Sequence, residues 1–292
     1  MAAKEWQGDT FGNNRMHRWL IAMLRHSDVR LYYAFAAVFV VPVCLVVSPG
    51  ARYAFRYFRQ RWHEGVVKAL WHTYVNHVLF SQVVIDRFAM YAGKRMRLKV
   101  EHYDVFKRLA AADDGFVMLS AHVGCYEMAG YELVSDRKPF NALVYGGEKA
   151  LVMAGRQQLF GHNNIRMMAI RPDMSHLFEI NNALARGEIV SIPGDRVYGS
   201  PRTLTVRLLG APAQLPMGPF QVPVMRGLDV IAVNVMKTSA TGYTAYVEPI
   251  DYDRQASRKV QVQQLADAYA NALDRVLHRY PTQWYNYYDF WK

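Results

Sequence analysis

The chain has 292 residues, 52% of them hydrophobic, and a formal net charge of +11, with a pI near 9.6. That length can bury one large α/β core, or a core plus a small membrane-associated region, and Cys44 and Cys125 make neither a disulfide framework nor a zinc site. The positive balance calls for an anionic partner, which could be nucleic acid, an anionic membrane surface or an acidic carrier protein.

Residues 1–26 mix turn formers (Gly8, Gly12, Asn13, Asn14) with a short amphipathic segment, 19–24, flanked by Arg15, Arg18 and Arg25. No small-residue cleavage site follows a suitable apolar region, so this is not read as a signal peptide. Residues 31–47 carry no charge, and as a helix they would run roughly 25 Å, just under the hydrocarbon core of a bilayer. Pro42 should kink that helix. Arg25, Arg30, Arg52 and Arg56 flank it at both ends, which fits a re-entrant or in-plane anchor better than a clean span; burial in a soluble core is the competing reading. Residues 52–62 interleave arginines with aromatics at helical spacing, which suits the headgroup layer, with rings in the acyl boundary and guanidinium groups on phosphates. Single-stranded nucleic acid also takes rings and arginines, but the adjoining apolar stretch favours a membrane. An amphipathic helix through Trp62, Val66, Leu70, Tyr74 and Val78, ending near Tyr91, is expected to pack in the core.

Residues 95–102 alternate as a strand with one wet face, 103–112 read as a helix, and 116–119 as a buried strand. A turn through Ser120 and His122 follows, and Gly124 opens an expected helix from Tyr126. His122 then lies at a strand's carboxyl end, where open α/β sheets gather ligands. Glu127, one turn further on, is placed to fold back on the imidazole, fix its tautomer and stabilise the imidazolium. The spacing alone is weak: with 24 acidic residues, about one of the ten histidines meets an acid five places on by chance, and only His122 does. A strand-end histidine hydrogen-bonded to a helix is the bland alternative.

Downstream, 140–145 reads as a strand ending at Gly146, Gly147, Glu148 and Lys149, with helices near 150–160 and 174–185. Residues 189–192 form a second apolar strand, closed by Pro193, Gly194, Asp195 and Arg196. Two strands thus deliver polar groups to what would be one edge; an Asp195–Arg196 pair on a solvated turn is the alternative. Residues 203–209 alternate as a strand, 210–219 read as a Gly/Pro loop, 230–236 and 243–247 complete the sheet, and 259–280 form a helix with an apolar stripe. The aromatic tail after Pro281 has to pack on something. The expected fold class is α/β, a single mixed, mostly parallel sheet flanked by helices, with an N-terminal apolar and amphipathic membrane-anchoring helical region at 1–62 ahead of the α/β domain at 63–292.

No G-x-S-x-G elbow, P-loop, G-x-G-x-x-G or H-E-x-x-H occurs, which removes the ordinary sequence support for serine hydrolase, nucleotide-dependent and zinc-peptidase readings. Cys125 reads as a small packed residue rather than a thiol nucleophile. Four features in order carry a sharper signal. They are the H-x4-E box from His122 to Glu127; the strand closed by Pro193 and Asp195; an apolar β segment leading to Gly218 and Pro219; and a C-terminal helix ending in Pro281, Gln283 and Trp284, with Trp291 and Lys292 beyond. Together they resemble the lysophospholipid acyltransferase superfamily and, within it, the lipid A late (secondary) acyltransferase family. Cys125 and Tyr126 stand where that family usually has Asn-Trp, Gly146 and Gly147 where an arginine is common, and Asp289 and Phe290 where basic residues precede the last Trp. These departures bear on the acceptor rather than on the chemistry.

The resemblance implies a membrane-associated O-acyltransferase of lipopolysaccharide synthesis, on the cytoplasmic face of the inner membrane. It would move a fatty acyl chain from an acyl carrier protein or coenzyme A thioester to a hydroxyl of a lipid A precursor or related glycolipid. His122 would be the base and Glu127 would hold its ring; backbone N–H groups near Gly124 would stabilise the oxyanion, with Lys149, Asp195, Arg196 and Gly218 as substrate contacts. No cofactor beyond the thioester donor, no metal and no nucleic acid is expected. The partners implied are the carrier protein or CoA, the lipid acceptor and an anionic membrane surface. Two other readings stand beside this one, an acyltransferase with a different lipid or small-molecule acceptor and a non-catalytic protein that binds anionic membranes.

Overall fold

The computed structural model describes residues 14–145, 164–171, 173, 175–197 and 202–291. A seven-stranded sheet carries the molecule. In chain order its strands are β1 (Arg97–Glu101), β2 (Phe116–Ser120), β3 (Phe140–Tyr145), β4 (Ile165–Ile170), β5 (Ile189–Pro193), β8 (Asp229–Ser239) and β9 (Gly242–Pro249), with β6 (Thr203–Leu208) and β7 (Ala211–Pro216) forming a separate hairpin. The spatial order is β1-β9-β8-β2-β5-β3-β4. Only the β8–β9 pair is antiparallel within it, so the sheet is mixed and mostly parallel.

Strand β2 is central, flanked by β5 and β8, and all five of its residues are buried. A strand covered on both faces has no wet side to mark with polar residues, hence the unbroken apolar run. Its side chains still alternate. Val117 and Leu119 join the cluster under the long C-terminal helix (Arg258–Arg279), while Phe116 and Met118 join the cluster on the opposite face with Phe106 and Val83. Each helix layer therefore packs on one face, and the strand ends are left at the edge.

Helices α1 (Asn14–His26), α2 (Val29–Phe35), α3 (Val41–Val47) and α4 (Pro49–Arg61) lead into the long α5 (Val66–Tyr91). Pro42 has no N–H to donate, and the chain absorbs the missing bond in a π turn at Ala36–Val40 that joins α2 to α3. Val29–Val47 is long and apolar enough to cross a membrane, with mean hydropathy 2.1. One side of it packs on α5: Tyr33 is buried, and the Tyr74 hydroxyl donates to the Ala37 carbonyl at 3.2 Å. The other side exposes Leu31, Phe35, Val38, Phe39, Val43, Val46 and Val47.

Two readings of this region change. In α4 the rings of Tyr57 and Phe58 turn into the protein core and Arg52, Arg56 and Arg59 face out, so the helix offers guanidinium groups to a surface but not those two rings. At the start of α5, Val66 and Leu70 do not join the core; with Val67 and Trp71 they are exposed. Trp71 packs on Tyr74 at 5.5 Å between ring centroids, which makes this patch continuous with the Ala37 turn.

Three further elements differ from expectation. Residues 210–219 are not a loop: Leu209 and Gly210, both at positive φ, turn the chain between β6 and β7, and a helix (Gly218–Arg226) follows. Pro212 and Pro216 sit in β7, which pairs with β6 alone, so their missing donors fall on the free edge. The helix from Tyr126 shrinks to a 3-10 turn, Tyr126–Met128, and one helical turn, Ala129–Glu132. The edge strand β4 had no counterpart in the sequence reading. The expected turn at 146–149 and helix at 150–160 lie outside the described residues.

Candidate active site

The β2–β5 register builds the site. Ser120 pairs with Pro193 as each strand ends, so two residues later His122 and Asp195 leave the same edge side by side. The Gly194 N–H donates to the Ser120 carbonyl at 2.9 Å and the buried Tyr269 hydroxyl donates to the same oxygen at 2.8 Å, which ties the two turns together. Asp195 is 0% exposed. Its Oδ1 lies 2.7 Å from His122 Nδ1, and its Oδ2 accepts the His122 backbone N–H at 2.9 Å. An aspartate that grips both ring and backbone fixes the imidazole in orientation and in tautomer: Nδ1 carries the proton and Nε2 is left with its lone pair.

The carboxylate on the ring is thus Asp195, and the expected Glu127–His122 pairing is replaced. Glu127 is buried towards α5, where Arg87 Nε stands 3.3 Å from Oε1 and the Tyr91 hydroxyl donates to Oε2 at 3.5 Å. The chain reaches the 3-10 turn Tyr126–Met128 through Cys125 at φ −132 and ψ 82, and from that turn the Glu127 carboxylate meets Arg87 and Tyr91 rather than His122. Tyr126 takes the place beside the ring, with centroids 5.8 Å apart. Nor is the Asp195–Arg196 turn a solvated pair, since Asp195 is sealed beneath His122.

Gly124 has a structural role instead of the expected oxyanion contact. Its N–H donates to the Gln283 carbonyl at 2.8 Å and that of Cys125 to the Val235 carbonyl at 2.7 Å, so neither is free for a substrate oxygen. Gly124 has φ +52, and a Cβ there would sit 2.0 Å from the Val235 oxygen. Only glycine fits a left-handed residue pressed on a neighbouring strand. Gly218 opens its helix with open space beside it. Lys149 lies outside the described residues.

Sequence reading missed the tail as part of the site. Trp284 bridges Val123 in antiparallel fashion, and the Tyr285 N–H donates to the His122 carbonyl at 3.0 Å. The Gln283 side chain accepts from the Lys237 N–H and donates to the Lys237 carbonyl, which pins this short strand to β8. Arg196 donates to the Tyr285 carbonyl at 3.1 Å and lies 5.9 Å over the Tyr288 ring. The signal was the run of Pro281, Gln283 and Trp284, whose partner strand cannot be read from spacing.

Burial pushes the His122 imidazole below the ordinary histidine value; the Arg196 cation pushes the same way, and Asp195 with its hydrogen bond opposes both. Burial would raise the Asp195 carboxyl, yet His122 and Arg196 hold it below the usual carboxylate range. The pair therefore rests as neutral imidazole and ionised aspartate, the state of a poised general base. Cys125 is unlike this: burial pushes its thiol up to about 12, with Glu127 adding to the rise, so it rests as an inert thiol. Among the described residues no group of three or more metal-ligating side chains occurs.

Residues 78–292 match the family described as bacterial lipid A biosynthesis acyltransferase. The chain belongs to that family. It is an O-acyltransferase, and the resemblance carried by the four ordered motifs holds. Among solved structures, the 1-acyl-sn-glycerophosphate acyltransferase PlsC of Thermotoga maritima is similar at 17% identity, covering 92% of this chain and 99% of that one, with a TM-score of 0.39. No curated protein matches.

Proposed function

We propose that the protein transfers a fatty acyl group from an acyl carrier protein or coenzyme A thioester to a hydroxyl of a lipid A precursor or related glycolipid, with His122 as general base and Asp195 as its positioning residue. The observation that carries this is the His122–Asp195 pair at the open strand edge of a chain in this family. The acceptor hydroxyl gives its proton to His122 Nε2 as its oxygen attacks the thioester carbonyl. The C–S bond then breaks, and the leaving thiolate recovers the proton from the imidazolium. No acyl-enzyme is needed because the thioester is already activated. Among the described residues Arg196 is a cation whose field reaches both members of the pair, and it serves here as the contact for the developing oxyanion or for a donor phosphate.

Attachment to the cytoplasmic face of the inner membrane fits the outward faces of Val29–Val47 and of the first turns of α5, which lie in one patch. A helix packed along α5 by its inner side favours in-plane insertion over a span, and Arg52, Arg56 and Arg59 would add headgroup contacts. Residues 1–62 form the anchoring region in this reading and 63–292 the acyltransferase domain.

Mass spectrometry of lipids after incubating the purified protein with acyl carrier protein or CoA thioesters and candidate glycolipids tests the assignment. A mass gain of one acyl chain, absent with His122→Ala, is expected. Equal turnover by a well-folded His122→Ala protein removes His122 as the base, and a stable acyl adduct on Cys125 would replace direct transfer with an acyl-enzyme route.

A further inference from the structure

The tail that reaches His122 has little regular structure of its own, a single 3-10 turn at Pro281–Gln283, so the rest of the protein has to hold it in place. Asn76 of α5, only 1% exposed, does much of this. Its amide nitrogen donates to the Thr282 carbonyl and to the Trp284 carbonyl, each at 2.9 Å, and its amide oxygen accepts the Tyr287 hydroxyl at 2.9 Å. The partners assign the orientation of the amide, because the reverse would set its oxygen against two carbonyl oxygens. Asparagine is not a strong helix former, so nothing in the making of α5 asks for it here.

One of these bonds stands a single peptide group away from the base. The Trp284 carbonyl that accepts from Asn76 belongs to the same planar unit as the Tyr285 N–H, which donates to the His122 carbonyl at 3.0 Å. In a trans unit the carbonyl and the N–H point in opposite directions, so Asn76 fixes one end of the plane and His122 meets the other. The bond to Thr282 holds the far side of Gln283, whose carbonyl accepts the Gly124 N–H at 2.8 Å. Asn76 thus brackets the segment that grips the turn on both sides of Val123.

We infer that Asn76 is a positioning residue for the base, setting the backbone of His122 through the Trp284–Tyr285 peptide. Asp195 takes the ring and the N–H of His122, and the tail takes its carbonyl. With that third point held, Nε2 keeps its direction toward the open edge. A reacting group displaced by about 1 Å loses on the order of a hundredfold in rate, so a grip at this remove is felt in the chemistry. The chemistry of the side chain is specific: serine has one donor, lysine no acceptor, and an ionised aspartate would face both carbonyl oxygens with negative charge. The inference rests on the acyl-transfer reading for the role of His122 as base, and on the bonds alone for the grip.

The test compares Asn76→Leu, which keeps the branched shape and removes all three bonds, with Asn76→Ser, whose polar gap admits water and spares the fold if leucine does not. Thr73→Val, one turn earlier on α5, is the control, since the Thr73 hydroxyl donates within the helix to the Ala69 carbonyl at 2.7 Å. The full-length protein is assayed in phosphatidylcholine nanodiscs with palmitoyl-CoA and a lipid A precursor. Both Asn76 variants should lower kcat per folded molecule by about tenfold to a hundredfold, with KM for either substrate within about twofold of wild type. Amide exchange read by mass spectrometry should quicken about tenfold in the peptides carrying Gly124 and Tyr285, whose N–H groups make the two bonds to the turn. Thr73→Val should change neither quantity. Unchanged kcat in the folded Asn76 variants, unchanged protection at Tyr285, a loss confined to KM, or an equal loss in Thr73→Val overturns the role. Quicker exchange at Tyr285, beside a wild type that transfers no acyl group, would sink the acyl-transfer reading and leave the grip on His122 standing.

Discussion

Asp86 and Asp195 are each fully buried and each faces a basic side chain, but their surroundings differ. Asp86 in α5 accepts from Tyr33 of α2, from Tyr243 of β9 and from Lys237 of β8, and all three donors are themselves buried. Lys237 spends its remaining donors on the Tyr33 hydroxyl at 3.3 Å and the Ala240 carbonyl at 2.9 Å. That network closes on itself and joins α2 to the sheet. Asp195 holds one imidazole whose side chain is 22% exposed and whose second nitrogen leads out of the core. Burial of a charge does not distinguish structure from chemistry; a partner with an unspent polar atom at an open edge does.

The largest effects should come from the open pair. His122→Ala and Asp195→Asn should each lower turnover by roughly a hundredfold to ten-thousandfold, the range for a lost general base, with the fold intact. Asp86→Ala inverts the pattern. Removing one member of a buried ion pair costs about 3–5 kcal/mol, so thermal unfolding in detergent should shift down strongly while turnover per folded molecule holds. A dead but stable Asp86→Ala enzyme, or an unstable but active Asp195→Asn one, would break the distinction between the two aspartates.

Next in size is the outer face of the helix whose inner face Asp86 holds. Phe39→Glu with Val46→Glu puts two charges where apolar side chains are exposed. Wild-type protein should stay with membranes at molar salt, where the Debye length is about 3 Å, and the double variant should be released. Removing residues 1–50 outright would be a poor test, since it strips Tyr33 from Asp86 and uncovers Phe88 and Ala89. Complete release of the wild type by salt alone would end the anchor assignment.

Much of this site was legible in the chain. The apolar run 116–119 and the turn after it placed His122 at a strand end, and the similar run before Pro193 brought Asp195 to the same edge. Which carboxylate would hold the ring was not legible, because that depends on register: Ser120 opposite Pro193 puts Asp195 alongside His122, and no local pattern encodes it. The five-residue interval to Glu127 assumed a helix that the 3-10 turn replaces. Prolines hid β7 for a related reason, since their cost vanishes on a strand edge that sequence cannot identify. Glu127→Gln measures the consequence: losing its charge beside Arg87 should cost about 1–3 kcal/mol of stability and much less turnover than Asp195→Asn. Equal losses of turnover would return Glu127 to the ring.

The smallest effect concerns the tuning of the open pair by Arg196. His122 acts as a base only when neutral, so kcat/KM should rise with pH through the imidazole's pKa in the free enzyme and then level off. Burial and the Arg196 cation place that rise below the ordinary histidine value. Arg196→Met removes a positive neighbour, which makes protonation of His122 easier and raises its pKa; the acid limb of the profile should therefore move to higher pH. Because Arg196 is also proposed to touch substrate, the height of the profile will fall for a separate reason, and the position of the limb after normalisation is the quantity to read. Nothing comparable should follow from Lys237→Met, whose charge faces Asp86 rather than the imidazole. An Arg196→Met limb that stays in place or moves to lower pH would show that the guanidinium does not tune His122, and would leave it only the contacts to substrate and to the tail.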